Sequence, residues 1–216
     1  MSIKENITNL LLETKREGID KLIQYLDEGG FFESPASTKF HGCYTGGLAE
    51  HSYRVCEKVL DFDLKLKLDT VVSPGQKPLK VETNNIIIAC LLHDVCKMGA
   101  YIKNGDTYKW NRQQPKGHAL LSISRIEKFI KLEEIEKLMI TYHMGVYGLN
   151  EFYEEGDWQT GEYPLRGDHK DDTKMTKEES QAARYGKSLA NAWFHNPICK
   201  IMYFCDEIET LESKAE

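Results

Sequence analysis

Histidine and aspartate side chains recur on the apolar faces of several predicted helices in this 216-residue chain. A buried ionisable group is costly unless it is paired or bound to a metal, so a repeated set of such groups indicates a shared site. Four imidazoles and two carboxylates suit Fe, Mn, Zn or Co, are poor for Ca and are unusual for Mg alone. The sequence therefore predicts a metal centre built from His51, His93, Asp94, His118, His143 and Asp206.

The ordered set carries this prediction, because a single histidine is more often a satisfied core or surface residue than a ligand. Two further histidines have simpler interpretations. His169 falls in the charged stretch 166–172, which is typical of a solvated loop. His195 lies just before Pro197, a residue that favours the first turn of a helix.

The elements that would position the ligand set are mostly helical. Apolar residues at helical spacing predict an N-terminal helix within residues 1–30, and a helix after Gly47 carries His51 on its apolar face. Asn84 offers an N-cap for the apolar run Ile86–Leu92, which leads directly into the next two ligands. Further helices are predicted over residues 117–131, 133–143 and 197–211.

The remaining segments add little regular structure to this helical chain. Asn104-Gly105 between two short aromatic and β-prone runs predicts a hairpin over residues 101–110. Residues 61–83 and 145–176 are mixed in composition and are interpreted as insertions or loops. A domain of ordinary size has about 150 residues, so we expect residues 1–216 to form a single all-α helical bundle with small β-hairpin insertions.

The order of the predicted ligands resembles the H…HD…D signature of the HD-domain metal-dependent phosphohydrolase superfamily. His118 and His143 extend the likeness to the six-ligand H…HD…H…H…D subtype. The segment 41–51 is similar to the HxxYxGGLxxH lead-in of bacterial HD hydrolases, and the segment 91–97 is similar to their LLHDxxK motif.

The resemblance covers roughly residues 38–145 and 195–211. The motif pattern most resembles that of the HD domain in 3′–5′ exoribonucleases, which combine this domain with an OB-fold. Residues 1–40 are too few to form an OB-fold, which argues against processive RNA degradation.

The resemblance implies a binuclear site for two divalent transition metals, drawn from Fe, Mn, Zn, Co and Ni, with Mg admitted at one position. The first metal would be held by His51, His93, Asp94 and Asp206. The second would be held by His118, His143 and a bridging oxygen of Asp94. Two metals roughly 3.5–4 Å apart can activate a shared hydroxide and clamp phosphoryl oxygens.

Lys97 and His41 are candidate catalytic residues beside Asp94. Lys97 lies one helical turn past the HD pair, where its ammonium could meet a phosphate oxygen; a cation that satisfies a helix C-terminus is the simpler interpretation. His41 suits a substrate contact or protonation of the leaving oxygen, with local loop packing as the alternative.

A locally basic and aromatic stretch, residues 109–116, runs directly into His118. Trp110 could stack on a base while Arg112 or Lys116, like Lys97, meets a phosphate; incidental charge on an exposed hairpin arm is the alternative. The expected partner is a small phosphorylated substrate or a short nucleic acid. The aromatic residues between positions 147 and 163 are interpreted as a lid or a dimer contact, so a homo-oligomer is compatible with the sequence.

The charge balance and the apolar runs exclude other partners. Lys and Arg total 28 against 34 Asp and Glu, a net charge of -6, which argues against coating duplex nucleic acid. The longest apolar run, residues 86–92, is far short of the roughly 20 residues that span a bilayer. A polar N-terminus without a secretory signal and six cysteines without a CxxC pair predict reduced thiols and a cytoplasmic location.

The sequence favours a phosphohydrolase that cleaves a phosphoester or phosphodiester of a nucleotide, cyclic nucleotide or short oligonucleotide by a metal-activated hydroxide. The resemblance leaves two alternatives. One is a mixed-valent di-iron oxygenase that acts on a small organic substrate. The other is a non-catalytic nucleotide-binding module, which is disfavoured because all six ligand positions are filled.

Overall fold

Helices dominate the computed structural model, which describes residues 1–38, 41–66, 79–115, 117–152 and 177–213. The helices are α1 (Ile3–Glu13), α2 (Ile19–Glu28), α3 (Gly47–Leu66), α4 (Thr83–Leu92), α5 (His118–Ile126), α6 (Glu134–Tyr142), α7 (Lys177–His195) and α8 (Pro197–Glu212). The strands are β1 (Tyr101–Asn104) and β2 (Thr107–Trp110), and short 3₁₀ segments run over Val95–Lys97 and Gly145–Phe152. The predicted all-α class with a small β-hairpin is confirmed.

The apolar helix α4 lies inside the core. Residues Ile86 to Leu92 are at most 5 % exposed, because a helix that is apolar on every side must be covered on every side. Helices α3 and α6 pack against it, and α8 packs against α3. The N-cap of α4 is Glu82 rather than the predicted Asn84, and the Glu82 backbone N–H donates to Asn85 Oδ1 at 2.8 Å.

The N-terminal segment corrects one prediction, because residues 1–30 form two helices instead of one. Lys15 has a φ of 53° and Gly18 a φ of 84°, so the chain turns between α1 and α2. A Cβ at Gly18 would lie 2.1 Å from the carbonyl oxygen of Phe129. The close approach of another backbone therefore requires glycine at this turn.

A buried ion pair joins this turn to the start of α6. Arg16 Nη2 lies 2.5 Å from Glu136 Oε1, and the Glu136 side chain is fully buried. Asn85 Nδ2, in the first turn of α4, donates to the same carboxylate oxygen at 3.0 Å. The pair thereby fixes the N-termini of two helices whose C-termini supply predicted ligands.

The predicted insertions are partly helical. Helix α3 continues to Leu66 and α4 begins at Thr83, so within 61–83 the residues 67–78 lie outside the described part of the chain. Within 145–176, a 3₁₀ segment occupies the start, and residues 153–176 lie outside the described part. Helix α7, which the sequence analysis did not predict, packs through Leu189 and Ala192 against Tyr142.

The predicted hairpin over residues 101–110 is confirmed. Strands β1 and β2 pair antiparallel with Tyr101 opposite Trp110 and Asn104 opposite Thr107. Helix α5 ends at Ile126, earlier than the predicted residue 131. All six cysteines are free thiols. Among the described residues, no helix combines the length and the apolar character needed to cross a membrane.

Candidate metal centre

The six predicted ligands converge in the interior from five helices or helix ends. His51 lies in α3, His93 ends α4 with Asp94 next to it, His118 opens α5, His143 ends α6, and Asp206 lies in α8. Five of the six residues are at most 9 % exposed. The His118 side chain is 23 % exposed, so the cluster reaches towards the surface at α5.

One group of potential ligands joins α3, α4 and α8. His51 Nε2 lies 2.9 Å from Asp206 Oδ1, and His93 Nε2 lies 3.9 Å from the same oxygen. One nitrogen or oxygen from each of these residues lies within 4.8 Å of the others, a spacing that could hold a metal ion.

A second group joins α4, α5 and α6. His118 Nε2 lies 2.7 Å from Asp94 Oδ1, and His143 Nε2 lies 3.8 Å from that oxygen. The two imidazole nitrogens are 3.2 Å apart. Two nitrogens and one carboxylate oxygen therefore face a common point here as well.

Asp94 connects the two groups through its two carboxylate oxygens. Oδ1 faces His118 and His143, as described above. Oδ2 lies 3.4 Å from His93 Nε2 and 3.8 Å from His51 Nε2. The carboxylate thus lies between both sets of imidazoles.

Backbone carbonyls fix the orientation of two of the rings. His93 Nδ1 lies 2.7 Å from the Cys90 carbonyl oxygen, and His143 Nδ1 lies 2.6 Å from the Ile140 carbonyl oxygen. A carbonyl oxygen accepts hydrogen bonds, so the Nδ1–H group donates and the Nε2 lone pair faces the cluster. An outer hydrogen bond of this kind is the usual support of a metal-bound histidine.

Several buried polar atoms of these residues lack an aligned hydrogen bond. Both nitrogens of His51, Nε2 of His93 and Oδ1 of Asp94 are buried, and no residue in the described part of the chain completes a hydrogen bond to them. An unsatisfied buried polar atom costs about 1–3 kcal/mol. Nitrogen and oxygen atoms that lie close together without hydrogen bonds between them can coordinate one cation. These residues therefore fit a metal ion with imidazole and carboxylate ligands.

The two carboxylates are held in their ionised forms. Burial acts to raise the pKa of Asp94, but Lys97 and His93 hold it well below its usual range. Burial likewise opposes ionisation of Asp206, yet His51 and His93 lower its pKa. Carboxylates bind metal ions as anions, so both are in the competent form at neutral pH.

The imidazoles differ in charge. Burial, with His93 and His118 nearby, lowers the pKa of His143 to about 3, so its ring is neutral at pH 7. Burial acts in the same direction on His118, but Cys96 and Asp94 raise its pKa to about 10. A metal bound by His118 would therefore displace a proton from that ring.

Lys97 and His41 both lie beside the predicted ligands. Lys97 Nζ is 2.6 Å from Asp94 Oδ2, and its side chain is 15 % exposed. The His41 ring centroid lies 4.7 Å from that of His51, and both His41 nitrogens are buried without a hydrogen-bond partner among the described residues. Burial, with Lys97 and His51 nearby, lowers the pKa of His41 to about 3.

Among the other predicted substrate-binding residues, Trp110 and Arg112 are exposed. Trp110 is 50 % exposed, and its ring meets Tyr101 edge-on at a centroid distance of 5.6 Å. Arg112 is exposed, and no hydrogen bond or ring contact within the described part of the chain joins it or Trp110 to the ligand set. Lys116 lies outside the described residues.

Two buried residues that lie close in sequence to predicted ligands were missed by the sequence analysis. Cys96 Sγ lies 3.1 Å from His118 Nδ1, and the residue is 5 % exposed. Glu209, one helical turn after Asp206, is 1 % exposed and lies 3.3 Å from Lys58 Nζ. The available signals were the position of Cys96 two residues after the HD pair and that of Glu209 on the buried face of α8.

No protein-family model, curated protein or solved structure matches the chain. The description of this protein therefore rests on its fold and on the residues of the candidate metal centre. The chain is an all-α protein with one β-hairpin among its described residues, and its buried histidine, aspartate and cysteine groups could hold metal ions.

Proposed function

We propose that the chain is an HD-type metal-dependent phosphohydrolase with a binuclear metal centre. The observation that carries the proposal is Asp94, whose two oxygens face two separate pairs of imidazoles. A single carboxylate between two sets of nitrogen ligands is the arrangement that a pair of bridged metal ions needs. The ordered HD motif of the sequence supports the same assignment.

Each metal position has its own ligands in this proposal. The first is formed by His51, His93, Asp206 and Oδ2 of Asp94, and the second by His118, His143 and Oδ1 of Asp94. The nitrogen-rich donor set favours Fe, Mn, Zn, Co or Ni over Ca. When bound, such ions supply Lewis acidity and a water of lowered pKa for attack on phosphorus.

Lys97 and His41 would act on the substrate beside the metals. Lys97 keeps a partly exposed ammonium next to Asp94, which places positive charge where a phosphoryl oxygen would bind. His41 has two buried nitrogens without partners among the described residues, so a substrate oxygen or hydroxyl could satisfy them. Both residues would orient the phosphoryl group relative to the ligands.

The substrate class in this proposal is a nucleotide, a cyclic nucleotide or a short oligonucleotide. Trp110 is exposed at the end of the hairpin and could stack on a base. Its neighbour Tyr101 is close enough to the site for Lys97 to act on the pKa of its hydroxyl, which burial raises. The hairpin therefore borders the cluster and could carry the base side of the substrate.

Metal analysis followed by a substrate panel tests this function. We expect about two metals per wild-type chain and release of phosphate or nucleoside from some member of a nucleotide panel with Mn²⁺ or Fe²⁺. Asp94→Asn should lose the bridging ligand, bind less than one metal and turn over at least roughly 10²-fold more slowly. Asp106→Asn, in the exposed hairpin turn, is the matched control and should behave as wild type.

Two results would contradict the proposal. A folded wild-type protein with fewer than about one metal per chain would remove its basis. A fully metal-loaded protein without turnover across the panel would remove the hydrolytic assignment. Oxygen uptake by the iron-loaded protein would instead point to the di-iron oxygenase.

A further inference from the structure

The Nδ1 atom of His118 has a different hydrogen-bond partner from the Nδ1 atoms of His93 and His143. Nδ1 of His93 and Nδ1 of His143 each lie within 2.7 Å of a backbone carbonyl oxygen. Nδ1 of His118 instead lies 3.1 Å from the Cys96 thiol sulfur. Sulfur is a weaker hydrogen-bond acceptor than a carbonyl oxygen, so the hydrogen bond that orients the His118 ring is weaker than those of the other two rings.

The Cys96 thiol contacts the nitrogen of His118 that the proposed metal position does not use. The two nitrogens of an imidazole point away from each other, and Nε2 of His118 faces Asp94 Oδ1 at 2.7 Å. Cys96 contacts the opposite edge of the ring through Nδ1. Cys96 Sγ, one nitrogen of His118 and one oxygen of Asp94 lie within 4.8 Å of one another. A metal bound by Nε2 is not bound by Nδ1 of the same ring, so the sulfur that contacts Nδ1 is an outer partner of this ligand.

Cys96 is itself fixed to the helix that carries His118. Its backbone N–H donates to Ser122 Oγ at 3.0 Å, and Ser122 is fully buried one helical turn beyond His118 in α5. The thiol is 5 % exposed, so water does not compete freely for Nδ1. The 3₁₀ segment Val95–Lys97 and α5 are thus held together at the point where the ring is oriented.

We infer that Cys96 is the positioning residue of the second metal position, an inference that rests on the proposed metal centre. When His118 Nε2 binds a metal, the ring proton must sit on Nδ1, and Nδ1–H donates to Cys96 Sγ. This bond selects the tautomer and the ring orientation that ligation needs. The second position has three protein ligands against four at the first, and one of the three is supported by a sulfur acceptor. The second position therefore binds its metal more weakly, and the two ions load in sequence.

Equilibrium titration of chelator-stripped protein with Co²⁺ tests the inference without an activity assay. Wild type should bind two ions with unequal affinities. Cys96→Ala should keep the tighter affinity and lose roughly 10–100-fold in the weaker one, the usual effect of removing an outer partner of a metal ligand. Cys96→Ser keeps a hydroxyl acceptor and should recover part of the loss.

A double-mutant cycle separates positioning from a general structural role. In the His118→Ala background the second position is already lost, so Cys96→Ala should cause no further change in Co²⁺ binding. Cys199→Ala removes another fully buried thiol, from α8, and should leave both affinities at wild-type values.

The possible failures are distinguishable. A folded Cys96→Ala protein with both wild-type affinities, or an equal loss in the His118→Ala background, would overturn the inference and leave the metal centre intact. A wild-type protein that takes up no Co²⁺ would overturn both. Two bound ions without phosphoester turnover would reject the hydrolytic function while the role of Cys96 stood.

Discussion

At the scale of single residues, Asp94 shows how the cluster tolerates buried charge. Removing a carboxylate from water costs several kcal/mol unless opposite charges and hydrogen bonds compensate it. Here the Lys97 ammonium lies 2.6 Å from Oδ2 while imidazoles surround the rest of the carboxylate. Lys97 could neutralise Asp94, or it could bind the substrate. The two roles predict different effects of a substitution on metal content and on activity.

Substitution of Lys97 by methionine distinguishes these tasks. If the ammonium binds a phosphoryl oxygen, Lys97→Met should lower kcat/KM by roughly 10–100-fold, the value of one charge-assisted hydrogen bond. Metal content should stay at the wild-type level, because all six ligands remain. Steady-state kinetics and metal analysis of the same preparation check both expectations.

The control for this substitution is Lys103→Met, which removes an exposed lysine from β1 and should change neither quantity. Loss of metal from Lys97→Met, with activity restored by excess metal, would show that the lysine holds Asp94 in place. In that case the substrate contact would be rejected.

At the scale of elements, the loop before α3 places His51. The backbone passes so close to itself here that a Cβ on Gly47 would lie 2.1 Å from the carbonyl oxygen of Gly42. Since the obstructing atom belongs to the backbone, a side chain cannot be accommodated by a change of rotamer. The start of α3, and with it the position of His51 one turn later, depends on this contact.

Gly47→Ala should therefore destabilise the fold and weaken metal binding together. We expect a loss of about 1–3 kcal/mol in the free energy of unfolding, the usual cost of overpacking, measured by urea denaturation. Gly186→Ala is the matched control, because a Cβ there meets no atom within 4 Å inside α7. That helical substitution should stabilise by about 0.5–1 kcal/mol. Equal effects at both positions would contradict this interpretation of the loop.

The same scale shows which elements could be predicted from the sequence. Helix α4 was predictable because residues 86–92 are apolar on every face. The hairpin was predictable because a glycine lies between two β-prone runs, although its two turn residues are Gly105 and Asp106, with Asn104 paired opposite Thr107. The break between α1 and α2 was not, because apolar spacing continues across it while the turn depends on the distant Phe129 carbonyl. Helix α7 was missed because it is on average more polar than the other helices, and only Leu189 and Ala192 are buried among its described side chains.

The site was predictable to a similar degree. Imidazoles on apolar helical faces stand out in a sequence, and the structure brings all six predicted ligands together. Cys96 resembles a core thiol in the sequence, because its proposed role depends on the ring of His118, 22 positions later in the chain. Tertiary packing determines which residue contacts the second nitrogen of a histidine ligand, and a single sequence does not indicate that contact.

At the scale of the whole molecule, the six predicted ligands come from distant parts of the chain and meet at one point. His51 and Asp206 belong to α3 and α8, and the helices between them supply the other ligands. The chain carries a net charge of -6, so bound cations would also offset the repulsion within an acidic protein. Metal binding to the folded state should therefore stabilise the entire fold, as well as the site.

Thermal unfolding with and without metal tests this coupling. At a free Mn²⁺ or Co²⁺ concentration about 100 times the dissociation constant, binding adds about 2.7 kcal/mol of stability. In a chain of this size that corresponds to a rise in Tm of roughly 5–11 °C over the chelator-treated protein. Ca²⁺ prefers all-oxygen ligands and should give little shift, and Asp206→Asn should reduce the response to Mn²⁺ or Co²⁺. Equal shifts with Ca²⁺ and Co²⁺ would assign the stabilisation to surface carboxylates, since a nitrogen-rich centre must discriminate between the two ions.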